Sequence, residues 1–178
     1  MRERWKLLGI EEKFSDRVLS VEHRRYHFDG AGDSMPFSVV RMKDWVIVVP
    51  VTEEGKLVLV RQYRVGTDEV TLEFPGGAVN MGEDPAEGAP RELEEETGYI
   101  SGRLSRLGSV KPNPAFLTND CHAYLAEGCE AKGMMQPDPF EDVEPVELSL
   151  DEVKELARNG GINHSITLGA LAIYLSTL

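Results

Sequence analysis

The chain has 178 residues, of which 41% are apolar and 28% charged, with a net charge of −12 from 19 basic and 31 acidic side chains. That length and apolar content support one domain with a real core and at most a small appendage, and they exclude a disordered chain. So acidic a surface repels phosphate backbones, so nucleic acid is not an expected partner, and an anionic substrate would need metal and arginine to reverse the field locally.

Along the chain, no targeting signal is expected at Met1-RERWKLLG, which lacks a long apolar stretch. The longest apolar runs, WVIVVPV (45–51) and the tail from Ile166, fall short of the ~20 residues that a membrane helix needs. A chain free of the membrane is expected. Cys121 and Cys129 are too few for a disulfide scaffold and lack metal-ligand spacing, which points to ordinary thiols in a reducing cytoplasm.

VLSVEHRRYHF (18–28) and PFSVVRM read as strands flanking the turn cluster DGAGDSMP (29–36). WVIVVPV and KLVLVRQYR (56–64) read as a buried central pair joined by a TEEG turn. VTLEFPGGAVNMGEDP (70–85) starts as a strand and becomes a Gly/Pro loop. Asp84 then Pro85 is a helix start, and Gly98 a C-cap. GRLSRLGSV and CHAYLAE read as further strands, and 128–142 as a long polar loop. Ser149 with Glu152 forms a capping box that opens a helix to about Asn159, and a last helix runs from near Ser165. Strands first, one helix in the middle and two at the end make a mixed α+β sandwich.

The middle helix collects Glu92, Glu94, Glu95 and Glu96 around a single base, Arg91. Residues four apart share a helix face, so Glu92 and Glu96 point together and Glu95 flanks them. Two charges ~6 Å apart repel by roughly 3 kcal/mol at an effective dielectric of ~20. A solvated acidic face would interleave lysines, and this one has none. FPGG precedes the helix, and its glycines let the backbone approach a ligand. Carboxylates with one backbone oxygen suit Mg²⁺, or Mn²⁺ in its place.

Gly77, Glu83 and the run Arg91-Glu92-Leu93-Glu94-Glu95-Glu96-Thr97-Gly98-Tyr99 match the Nudix box over 77–99. The chain thus resembles the Nudix hydrolases, with weaker similarity over nearly all its length. The resemblance implies a mixed sheet sandwiched between helices. It also implies Mg²⁺-dependent hydrolysis of a nucleoside diphosphate linked to another moiety. Glu92, Glu96 and Glu95 are then metal ligands with the Gly76 carbonyl, while Glu83 and Arg91 orient the carboxylates. Glu94 falls at a variable position and is expected in solvent. Tyr99 stands where the family has an aliphatic residue. Pro90 and Gly88 predict an irregular or kinked first turn.

VRQYR and LEFPGG resemble the ADP-ribose pyrophosphatases and nucleoside diphosphate-sugar hydrolases, as does Pro114 downstream of the box. In that subgroup Arg61 and Arg64 would hold phosphates, and Glu73 would accept bonds from ribose or base. The N-terminal strands resemble the appendage through which such enzymes form swapped homodimers. This implies a partition into 1–44, for dimerisation, and a hydrolase domain over 45–178. Trp5 and Phe37 would stack on the base, with Trp45 in reserve. The general base would be Glu141 in the loop after the box, with Asp142 and Glu144 as neighbours. The four histidines, His23, His27, His122 and His164, are scattered and receive no catalytic role. The resemblance leaves open other Nudix substrates (NADH, diadenosine polyphosphates, nucleoside triphosphates), and a binding module that senses a nucleotide sugar without cleaving it.

Overall fold

The computed structural model describes residues 1–178. It divides into two compact units, one of residues 1–43 with 111–119 and one of residues 44–110 with 120–178.

The first unit is an antiparallel three-stranded meander of β1 (Trp5–Ser15), β2 (Leu19–Phe28) and β3 (Asp33–Met42). β2 is the middle strand, and its register runs without a break from Leu19↔Met42 to Phe28↔Asp33. On β2 a buried charge, Glu22, is neutralised by Arg24 at 2.8 Å and Arg41 at 3.3 Å. β1 is exposed along its whole length, including Leu8, Ile10 and Phe14. The segment 111–119 joins this unit through a backbone bond from the Val40 amide to the Phe116 carbonyl.

The second unit is built on β4 (Trp45–Thr52), β5 (Leu57–Arg64), β6 (Glu69–Glu73), β7 (Arg103–Val110), β8 (Cys121–Cys129) and β9 (Val143–Leu148). The order is β6-β5-β4-β8-β7, and β9 pairs with β5. The expected β4–β5 pair is a hairpin joined at its base, Val51↔Leu57. Beyond that point the partners differ. β4 runs parallel to β8 from Trp45↔Cys121 onward, while β5 lies between β6 and β9. The free edge of β4 is taken by the Gly/Pro loop: the Val48 and Val46 amides donate to the carbonyls of Pro75 and Gly77, both at 2.9 Å. This fit demands a glycine at 76, where a Cβ would lie 2.2 Å from the Val46 carbonyl oxygen.

Three helices, α1 (Pro85–Thr97), α2 (Leu150–Asn159) and α3 (Ser165–Leu175), cover the two faces of this sheet. The alternation of β4 sets the layers. Val46 and Val48 pack with Ala89 and Leu93 of α1, while Ile47 and Val49 pack with Val153 of α2 and Ala170, Leu171 and Tyr174 of α3. The caps stand where the sequence puts them. Asp84 accepts from the Ala86 amide, the Ser149–Glu152 box is reciprocal, and Gly98 closes α1 at φ 70°.

Pro90 does not break the helix: α1 is continuous from Pro85 to Thr97. The bond that Pro90 forfeits would have gone to the carbonyl of Ala86, an exposed first-turn residue that water can serve. Leu93 is fully buried between α1 and β4. Leu93→Ala should therefore cost roughly 2–5 kcal/mol in urea denaturation. A loss well below this range would mean that the α1–β4 layer does not anchor the unit.

Candidate active site

The Gly/Pro loop and α1 meet at their carboxylates. The Glu96 side chain is 3% exposed, and an oxygen of its carboxylate accepts the Gly76 amide at 2.9 Å. The carbonyls either side of Gly76 are committed to β4. Gly77 makes room for Glu92: a Cβ there would lie 2.5 Å from Glu92 Oε2. Small residues in FPGG thus serve two separate ends, one against β4 and one against a carboxylate.

Arg91 gathers the cluster. Its Nε and Nη2 fork onto Glu83 at 2.8 and 3.0 Å, and its Nη1 donates to both Glu92 and Glu95 at 2.8 Å. Glu83 also accepts the Asn80 amide at 2.7 Å, which ties the loop to the helix. The Arg91 bonds, then the Asn80 amide, hold the Glu83 carboxyl down to about 2.

Glu92 and Glu96 shift the other way. Burial pushes the Glu96 carboxyl up to about 8 against the Gly76 amide, and the charges of Glu92 and Glu141 add to the push. Burial likewise raises Glu92, and Arg91 only partly offsets it. One guanidinium therefore serves three carboxylates, and none of its nitrogens bonds to Glu96.

As the side chains stand, no group of three or more His, Cys, Asp or Glu is gathered around one ligand position. The donor chemistry nevertheless fits a hard divalent cation. Two carboxylates on one helix face, Glu96 buried and Glu92 partly buried, are short of positive charge, beside a loop where added Cβ atoms would clash.

The remaining expected residues fall in separate places. Arg64 Nε and Nη2 fork onto Glu73 at 2.8 and 2.7 Å, and the charges of Glu96 and Glu141 act on this guanidinium. Glu73 is 1% exposed and also binds Thr71 Oγ1 at 2.5 Å and His164 Nδ1 at 2.8 Å. Its oxygens are spent inside the protein, which differs from the expected contact with ribose or base. Arg61 stands three residues before Arg64 on an unbroken strand register, so it points to the opposite face. It pairs instead with Glu144 at 3.3 Å across β5 and β9.

Glu141 lies in the loop after β8. Its carboxylate accepts the Asp138 amide at 3.1 Å, and its charge reaches Glu92, Glu96 and Arg64. Trp5, Phe37 and Pro114 belong to the first unit. There Trp5 stacks on Phe28 at 4.4 Å and 20°, with Phe37 edge-on at 5.9 Å. Trp45 packs against the core of the second unit.

Glu94 corrects the expectation of a solvated bystander. It accepts the Met134 amide at 3.4 Å, and Gly133 lies close against it. The Gln136 amide bonds the Glu95 carbonyl at 2.9 Å and the Gly133 amide bonds that of Gly98, so the loop is tied to the end of α1. Tyr99 adds a tie to β9 through its hydroxyl, which donates to Glu147 at 2.5 Å. Sequence reasoning missed Glu94 because its partners are 40 residues away, whereas Tyr99 at an aliphatic position was a visible signal.

A sequence model of the NUDIX domain matches residues 42–167. The chain belongs to the Nudix hydrolase family and is an enzyme of that family. It is 34% identical to a methanol dehydrogenase activator of Bacillus methanolicus, over 93% of this chain and 90% of that one. It is 30% identical to an ADP-ribose pyrophosphatase of Bacillus subtilis (strain 168), with the same coverage of both chains. Among solved structures, a crystal structure of an ADP compounds hydrolase aligns with a TM-score of 0.86 at 25% identity, covering 98% of this chain and 94% of the other.

Because Glu83 is depressed in the folded state from an ordinary value of 4.5, its pairing stabilises the protein above about pH 4.5. That stability is lost as the pH falls toward 2. Wild type should exceed Glu83→Gln in urea midpoint by a constant margin near neutral pH, and the margin should shrink between pH 4.5 and 2. A margin that is constant through that window would remove the charged pair as its cause.

Proposed function

We propose that the protein hydrolyses the diphosphate linkage of ADP-ribose or another nucleoside diphosphate sugar, giving a nucleoside monophosphate and a sugar phosphate. The observation that carries this reading is the meeting of undercompensated carboxylates, Glu92 and Glu96, with a guanidinium, Arg64, on which the charge of Glu96 acts. Anionic oxygens need positive charge, and buried carboxylates need cations. A diphosphate bound with a divalent ion satisfies both.

Glu92, Glu96 and Glu95 would hold Mg²⁺, or Mn²⁺ in its place, with the Gly76 carbonyl. When bound, the ion neutralises diphosphate oxygens and lowers the pKa of water. The chain's own residues do the rest. Arg91 and Glu83 fix the carboxylates of Glu92 and Glu95 in place. Arg64 draws the diphosphate to the site and orients it. Glu141, on the loop tied to α1, accepts the proton of the attacking water as the P–O bond between the two phosphates breaks. Arg61 serves this reading less directly, because Glu144 holds it on the other face.

The first unit supplies the base contact and the dimer in this reading. Trp5 is 42% exposed and is backed by Phe28, so a nucleobase could extend the stack. Phe37 and Pro114 lie in the same unit. A strand as apolar and open as β1 calls for a cover, and a second copy of the chain fits that need. In line with the fold, no helix is long and apolar enough to cross a membrane.

Two measurements test the reading. Turnover with Mg²⁺ should favour ADP-ribose and other nucleoside diphosphate sugars over NADH, diadenosine polyphosphates and nucleoside triphosphates, and a preference for triphosphates would overturn the substrate class. Glu96→Gln should lower kcat on the order of 100-fold. Wild-type turnover by that variant would overturn the role of the α1 carboxylates.

A further inference from the structure

We infer that His164 is a positioning residue that sets Arg64 through Glu73. The inference rests on the proposed binding of a diphosphate by Arg64. His164 occupies the N-cap of α3, a place that favours a Ser, Thr, Asp or Asn oxygen and disfavours a group able to carry positive charge. Its side chain makes no cap hydrogen bond. The ring turns instead to the sheet, with Nδ1 2.8 Å from Glu73 Oε2 and 3.0 Å from Thr167 Oγ1.

The geometry fixes the proton. A carboxylate only accepts, so Nδ1 carries hydrogen and donates it to Glu73. Burial alone would raise the Glu73 carboxyl, but the bonds from Arg64, His164 and Thr71 hold it well below the usual carboxylate range. Glu73 is thus ionised, and both of its oxygens are saturated. Oε1 takes Arg64 Nε and Thr71 Oγ1, and Oε2 takes Arg64 Nη2 and His164 Nδ1. A carboxylate held on two sides cannot rotate about its last bond without losing a charge-assisted hydrogen bond. The guanidinium fork that grips it inherits that fixed plane.

The helix and the strand are also tied directly. Thr167, fully buried in the first turn of α3, accepts the amide of Phe74, the residue after Glu73, at 3.2 Å. The start of α3, the end of β6 and the end of β5 therefore meet at one carboxylate. With Nε and one hydrogen of Nη2 committed to Glu73, Nη1 is the Arg64 nitrogen that keeps both hydrogens to face a ligand. His164 touches no ligand in this arrangement. It sets the direction in which Arg64 presents its free edge.

The test uses the full chain and two variants. His164→Phe keeps a ring and removes the donor, whereas His164→Asn keeps an N–H near the position of Nδ1. KM for the preferred nucleoside diphosphate sugar should rise roughly tenfold in His164→Phe, with kcat within about twofold, and return close to wild type in His164→Asn. The Arg64 Nε–H resonance in ¹H–¹⁵N spectra reads the clamp without substrate. It should be sharp in wild type and His164→Asn, and broadened in His164→Phe. Equal behaviour of the two variants, or a fall in kcat at unchanged KM, would overturn the inference. Absence of nucleotide-sugar turnover in wild type would instead overturn the proposed substrate, and the resonance would still decide the role of His164.

Discussion

The arrangement of the second unit depends on one unfavourable fact, the burial of Glu96 with a neutral amide as its hydrogen-bond donor. A carboxylate out of water costs several kcal/mol unless charge or hydrogen bonds compensate. The surrounding chain is shaped by that cost. The loop that lends the amide lies tight against the β4 backbone, so residue 76 must be glycine, and β4 must leave its edge open to receive the loop. β4 can do so because it separates from β5 beyond the hairpin and takes β8 as its long partner.

Arg91 and Arg64 answer the same cost in different ways. Arg91 works within the cluster, sharing its nitrogens among Glu83, Glu92 and Glu95. Arg64 stands apart, with a carboxylate of its own to hold it, and meets the cluster through its field. The first is an internal counterion; the second, in the proposed function, is the group that meets an anion. On that proposal, the division of labour lets a chain of net charge −12 offer a positive group to a negatively charged substrate.

Local signals in the sequence carried far. Asp84-Pro85, Gly98 and the Ser149–Glu152 box mark helix ends because caps are short-range bonds between neighbours, and these ends stand in the structure as read. The shared face of Glu92 and Glu96 follows from helical period alone. What escaped were relations between distant residues. β1 mixes charged and apolar side chains without clear alternation, and its pairing with β2 decides its form. The parallel β4–β8 ladder leaves no local trace. His164 looked unattached because its partner, Glu73, lies far back in the chain. Arg61 and Arg64, both expected to hold phosphates, are a local case instead: three residues apart on one strand, they face opposite ways. Pro90 shows the converse: a strong local rule gave way because the orphaned carbonyl sits where water can reach it.

The loop that carries Glu141 is moored at both ends. Met134 and Gln136 are fastened to α1, and Val143 opens β9 against β5. Only the arc 137–142 hangs between these posts, and each residue of such an arc adds at most about 3.5 Å of reach. Glu141 is therefore on a short leash: it stands two residues before Val143, and a turn with Asp138 folds the arc onto itself. A leash of that length also sets a gauge: insertions or deletions within the arc would change how far from β9 the acid is held, while the posts keep the ends of the arc fixed.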